Sequence, residues 1–161
     1  IQYNTTMVIA SHDLFWLNTT VDTIFVLHKG KIIGTGEKNV IHGPWLQDSS
    51  QLWFKKISEN IRIIAATTPP KPNATAILNP SEVILANKKP KGLSAQNIID
   101  GIIINLSTHT NDKIKVVVDI QGLHMISHIT HQAVQELELV PGKKIWIIFK
   151  ASSIHWCQHF D

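Results

Sequence analysis

Two short polar clusters carry the chemistry that can be read from this sequence. Ser94-Ala95-Gln96-Asn97 offers a hydroxyl and two amides around a small residue, and Phe149-Lys150-Ala151-Ser152-Ser153 offers an ammonium, two hydroxyls and another small residue. Side chains of these types are hydrogen-bond donors, with one positive charge among them. A tetrahedral dianion has four acceptor oxygens and no donor. A site for it presents backbone N–H groups, hydroxyls and amides with limited positive charge, and Ala95, Ala151 and Ser152 are small enough for the backbone to approach closely. A site that turns only donors towards its ligand also disfavours protonated phosphate, whose P–OH then finds no acceptor. Taken alone, the first cluster is equally a polar turn, and Lys150 a solvated strand end.

Bringing the clusters together requires β-structure between them. Residues 82–85, 98–106, 114–120, 125–129 and 144–149 read as strands, and Ser127 lies within the fourth. Lys89-Pro90-Lys91-Gly92, Thr110-Asn111-Asp112, Gln121-Gly122 and Pro141-Gly142 separate them as turns. Thr130 is placed to cap a short helix over 131–139, with Val134 and Leu137 inward. Five short strands and one helix in about eighty residues predict a small barrel of the oligomer-binding type.

The first half has a different character. The apolar run Thr6-Met7-Val8-Ile9-Ala10 predicts a strand buried on both faces, ended by Ser11-His12-Asp13. Asp13 is placed to cap a helix over 14–21. Strands over 23–27 and 32–36 flank a turn at His28-Lys29-Gly30-Lys31, so this region reads as α/β. Leu52, Ile57 and Ile61 fall loosely on one face of a helix over 52–64. Thr67-Thr68-Pro69-Pro70-Lys71-Pro72-Asn73 cannot continue a helix and reads as a linker. The expected organisation is therefore an α/β segment at 1–65, a linker at 66–75 and the barrel at 76–161, with Trp45 and Trp53 anchoring the region before the linker.

Composition narrows the classes. The net charge of +3 over 161 residues is too slight for a nucleic-acid binder, where lysine and arginine cluster. One cysteine, Cys157, excludes an internal disulfide framework and a Cys-rich zinc site, and fits a reducing compartment. No apolar run reaches the length of a membrane span, and no leader pattern opens the chain. The sequence starts without Met at what reads as the approach to a strand, so further residues are expected before Ile1 in the parent protein. His124 and His128 share a strand face by parity, but no carboxylate or cysteine completes a ligand set at usable spacing. No metal site is expected.

Motif order adds a resemblance. Thr6 to Leu14, then Val21-Asp22-Thr23-Ile24-Phe25-Val26-Leu27, then Lys29 to Gly36, is similar to the end of an ABC-transporter nucleotide-binding domain. The resemblance implies that His12 is the switch residue sensing the γ-phosphate of ATP, with Mg, in an intact parent. The chain has no G-x-x-x-x-G-K-[ST] phosphate loop, no upstream acidic strand end and no signature sequence, and phosphoryl transfer rests on such positioning. It is therefore expected not to hydrolyse ATP alone. The second half resembles the Mop or transport-associated oligomer-binding (TOBE) domain of tungstate and molybdate importer ATPases. That resemblance rests on Ile77 to Leu85, Ser94-Ala95-Gln96-Asn97, Ser127, Pro141-Gly142 and Phe149 to Ser153.

The resemblance implies molybdate or tungstate held between neighbouring subunits by Ser94, Gln96, Asn97, Ser127, Lys150, Ala151 and Ser152. Gln96 stands where the family usually has arginine, so the charged guanidinium fork is replaced by a shorter neutral amide and Lys150 supplies the charge. The implied partners are a second copy of the chain, membrane permease subunits and, indirectly, a periplasmic or extracellular oxyanion-binding protein, at the cytoplasmic face of the membrane. A molybdate storage or buffering protein of Mop type, and an ATPase subunit for a sugar or polyamine, are the alternatives.

Overall fold

Three strands in succession form the backbone of the fold: β9 (Asn97–Thr110), β10 (Lys113–Ile120) and β11 (Leu123–Thr130). Along β9 Asn97, Ile99, Gly101 and Ile103 are buried, while Ile102 and Ile104 are exposed, the two-residue period of a strand with one face on a core. The computed structural model describes residues 6–11, 21, 24–28, 30–110 and 112–157. These divide into two compact units, 1–36 and 37–161.

In the first unit, β1 (Phe25–His28) and β2 (Lys31–Thr35) form an antiparallel hairpin. Gly30 supplies the positive φ of 77° in its turn. The strands expected at 23–27 and 32–36 are thus present, shifted by one or two residues. The strand expected at 6–10 is not. Residues 6–11 are irregular, with Met7 73% and Val8 94% exposed. No strand pairs with this run among the described residues, so its apolar side chains have no sheet to bury against. His12 and, apart from Val21, the helix expected at 14–21 lie outside the described residues.

The second unit contains β3 (Asn39–His42), β4 (Leu46–Gln47), β5 (Trp53–Lys56), β6 (Arg62–Ala65) and β7 (Thr75–Leu78). After a 3-10 turn at Pro80–Glu82 come β8 (Ile84–Ala86), then β9 to β11, α1 (His131–Glu136) and β12 (Lys144–Phe149). A second 3-10 turn, Ala151–Ser153, leads into β13 (His155–Trp156). All strand pairs are antiparallel. The sheets have the orders β11-β10-β9-β12-β8, β13-β7-β3 and β4-β5-β6. The five strands expected in the second half all lie in the first of these sheets, and Thr130 caps α1 by accepting from Ala133 N–H at 3.2 Å. Ile41, Trp45, Ile63, Leu78, Val116, Ile120, Ile145 and Phe149 meet in one core.

Two expectations fail in this unit. Residues 52–64 form a hairpin, β5 to β6, because Ser58-Glu59-Asn60 makes a turn and Ile57 N–H closes it on Ile61 C=O at 2.9 Å. The proline-rich stretch at 66–75 is packed rather than a tether. Trp45 N–H donates to Pro72 C=O at 2.7 Å, and Trp156 Nε1 donates to Thr67 Oγ1 at 2.8 Å. A Cβ on Gly43 would come within 2.7 Å of Asn73 Cα and 2.8 Å of Pro72 O, so these backbones touch. Extended proline-rich chain cannot be helical, but nothing prevents it from packing. The compact unit consequently begins at 37 rather than near 76.

One surface pair gives a modest test. Lys144 Nζ lies 2.8 Å from Asp100 Oδ2, and this hydrogen bond holds the Asp100 carboxyl below the usual carboxylate range. The pair's stabilisation is present above the unfolded carboxyl pKa and is lost as pH falls through the lower folded one. Lys144→Ala should raise the Asp100 pKa in an NMR titration. The Lys144 side chain is 67% exposed and that of Asp100 39%, so solvent screening limits the stability change to below about 1 kcal/mol.

Candidate functional site

The start of β9 and the end of β12 are brought together by register. Asn97 pairs with Phe149, so Ser94 to Gln96, entering β9, and Lys150 to Ser152, leaving β12, lie at the same end of the sheet. β6 backs both clusters. The Asn97 side chain accepts from Ile64 N–H at 2.7 Å and donates to Ile64 C=O at 2.9 Å. Two residues on, Ala66 N–H donates to Ala151 C=O at 3.2 Å. The rim is therefore pinned from behind at two points.

At this rim Ser94, Gln96, Lys150 and Ser152 are exposed and Ala151 is buried. Asn97 is at the rim by backbone only: its side chain is buried and both its amide groups bond to Ile64. Ser127 is not brought there. It pairs with Val116, which pairs with Leu106, nine positions along β9 from Asn97. Its hydroxyl is fully buried and donates to Val83 C=O at 2.6 Å. Two open depressions in the surface, one at the β5–β6 hairpin and one between β3, β5 and the β10–β11 turn, include no rim residue. Within one chain the rim is a shelf of donors facing solvent.

Residues 93–156 match the TOBE domain. The match contains both rim clusters, β9 to β12 and α1. Curated relatives are molybdenum import ATP-binding proteins named ModC. The one from Rhizobium etli is 35% identical over 91 residues, covering 56% of this chain and 25% of that protein. The one from Shewanella sp. strain MR-7 is 26% identical over 168 residues, covering 89% of this chain and 46% of the relative. The chain thus spans less than half the length of these relatives. Among solved structures, the cytoplasmic molybdate-binding protein ModG with molybdate bound superposes with a TM-score of 0.58 at 20% identity, over 75% of this chain and 94% of that one. At that identity the likeness concerns the fold: a mostly β, oligomer-binding-like architecture. An α/β segment of ATPase type is not seen in the described residues before the TOBE match.

Sequence reading missed a second polar group in the same unit. Glu37, fully buried by side chain, accepts from Lys115 Nζ on Oε1 and lies 3.2 Å from His128 Nε2 through Oε2. The His109 ring stacks on that of His128, with centroids 3.8 Å apart and planes at 22°. Burial first, then the neighbouring His128, pushes the His109 imidazole below its usual range. The signal for this group was Lys115 itself, a charge inside the apolar run Ile114 to Val118. By contrast His124 is exposed, 3.6 Å from Asp119, and does not join His128. Burial pushes the Cys157 thiol up, away from the reactive thiolate. Among the described residues, no helix is long and apolar enough to cross a membrane.

Proposed function

We propose that this chain is the C-terminal part of the ATP-binding subunit of a molybdate or tungstate importer, in which the TOBE segment binds the oxyanion and regulates the motor. The observation that carries this reading is the alignment of 89% of the chain with a molybdenum import ATP-binding protein, in which the rim clusters fall inside the TOBE match. ATP and Mg would be held in the intact parent, with His12 sensing the γ-phosphate. The partners would be membrane permease subunits at the cytoplasmic face.

The rim supports a site shared between two copies. An anion on a solvent-facing shelf keeps most of its water, and a donor bond to it then gains little. A second rim laid against the first would exclude that water and double the donors. Ser94, Gln96, Lys150, Ser152 and the backbone around Ala151 are the contacts assigned here. Asn97 holds the shelf in place, and Ser127 has no role at the rim of its own chain. Oxyanion binding regulates only if it favours one arrangement of the paired subunits over another.

Calorimetric titration with molybdate, tungstate, sulfate and phosphate tests the reading. Molybdate and tungstate should bind and phosphate should not. The double variant Lys150→Ala, Ser152→Ala should weaken binding by at least about tenfold, the loss of one charge-assisted and one neutral hydrogen bond, with the β-sheet spectrum unchanged. Equal affinity in that variant would remove both residues from the site. A Mop-type storage protein is the second reading, favoured by the extent of the ModG-like fold. A phosphate loop encoded upstream in the same reading frame would exclude it.

A further inference from the structure

We propose that Glu37, His109 and His128 form a binding site for a divalent transition-metal ion of the zinc, cobalt or nickel type. One ligand atom from each of these residues lies within 4.8 Å of the others. A tetrahedral ion with bonds of about 2.0–2.1 Å requires its ligand atoms roughly 3.4 Å apart. Glu37 Oε2 and His128 Nε2 already stand at 3.2 Å. The metal takes the place of the hydrogen between them, and only His109 must turn to complete the set.

The backbone gives His109 the freedom to do so. Lys113 pairs with Thr110 and Ile114 with Thr108, which leaves His109 as the extra residue of a β-bulge. Bulges re-aim a side chain that regular pairing would direct elsewhere. Here the bulge lays the His109 ring on His128, while the residue itself remains solvent-exposed and opens a path for the ion. The fourth coordination position faces that opening and takes water or an anion. On the closed side, Lys115 sits directly across from His128 in the β10–β11 ladder and holds the other carboxylate oxygen, fixing the Glu37 ligand from behind.

The donor set selects the class of ion. Two imidazoles and one carboxylate, without thiolate, suit zinc, cobalt, nickel and copper(II). Calcium and magnesium take oxygen ligands and would leave both imidazoles unused. Glu37 is the first residue of the second compact unit, so an ion here ties the beginning of that unit to β9 and β11. The site does not include the rim residues.

The test uses the full chain without an affinity tag, free of oxyanion and chelator, titrated with zinc(II) by calorimetry and with cobalt(II) by visible absorption. One ion should bind per chain, raise the melting temperature and, for cobalt, give the intense absorption of a tetrahedral site. His109→Gln and His128→Gln should each weaken binding about tenfold or more. His124→Gln should bind as the parent does. Should His128→Gln fail to fold, His109→Gln, at an exposed position, decides alone. Absence of saturable binding at micromolar metal, or unchanged affinity in His109→Gln, overturns the proposal. Retained molybdate binding in His109→Gln would show that the two sites fail separately.

Discussion

Lys115→Met should destabilise the second unit by about 3–5 kcal/mol, read as a lower urea midpoint with an unchanged slope. Lys115 and Glu37 are 3% and 0% exposed by side chain, so neither is screened by solvent. Removing the lysine takes the ammonium away from a carboxylate inside the protein, and breaking a buried ion pair on one side costs far more than the pair contributes. Methionine matches the lysine stem in length and flexibility, so the loss will not come from a cavity. The double variant Glu37→Gln, Lys115→Met should recover most of the stability, because the buried negative charge is removed together with the ammonium that balanced it. A coupling near zero between the two substitutions would mean that the pair does not interact as described.

Why the sequence displayed some of this and hid the rest is a matter of period and parity. β12 is readable because Lys144 to Phe149 is an apolar run ending at a polar cluster, and the observed bounds are the expected ones. β10 is readable from Ile114 to Ile120 for the same reason. The 52–64 segment is ambiguous because Trp53, Phe54, Ile57, Ile61 and Ile63 keep neither helical nor strand spacing, and the turn at Ser58-Glu59-Asn60 decides it. The rim was legible as two donor clusters, and the Asn97–Phe149 pairing brings them to one end. The inward turn of Asn97 was also available by parity, since it alternates with Ile99, Gly101 and Ile103. What one strand's sequence does not carry is the bulge that turns His109, or the long-range meeting of Glu37 with β10 and β11.

Trp45→Ala should be comparably severe, about 3–5 kcal/mol, and it tests whether the proline-rich stretch is part of the folded unit. The Trp45 ring is 2% exposed and meets Trp156 edge-on, with centroids 4.8 Å apart. Its Nε1 donates to Ala74 C=O at 2.9 Å, and its backbone N–H to Pro72 C=O at 2.7 Å. Alanine leaves a cavity where the ring met Trp156 and removes one of the two donors to Ala74 C=O, which keeps the Gly43 N–H at 3.1 Å. Trp45→Phe keeps most of the ring volume and removes one of the two donors to Ala74 C=O, so it should cost only about 0.5–1.5 kcal/mol, the net contribution of one hydrogen bond. Amide hydrogen exchange supplies the second readout. If 66–75 is packed as the hydrogen bonds of Trp45 imply, the Ala74 N–H, which donates to Lys71 C=O at 2.9 Å, should exchange its hydrogen slowly in the parent and rapidly in Trp45→Ala. Rapid exchange at Ala74 in the parent would return that stretch to the status of a linker.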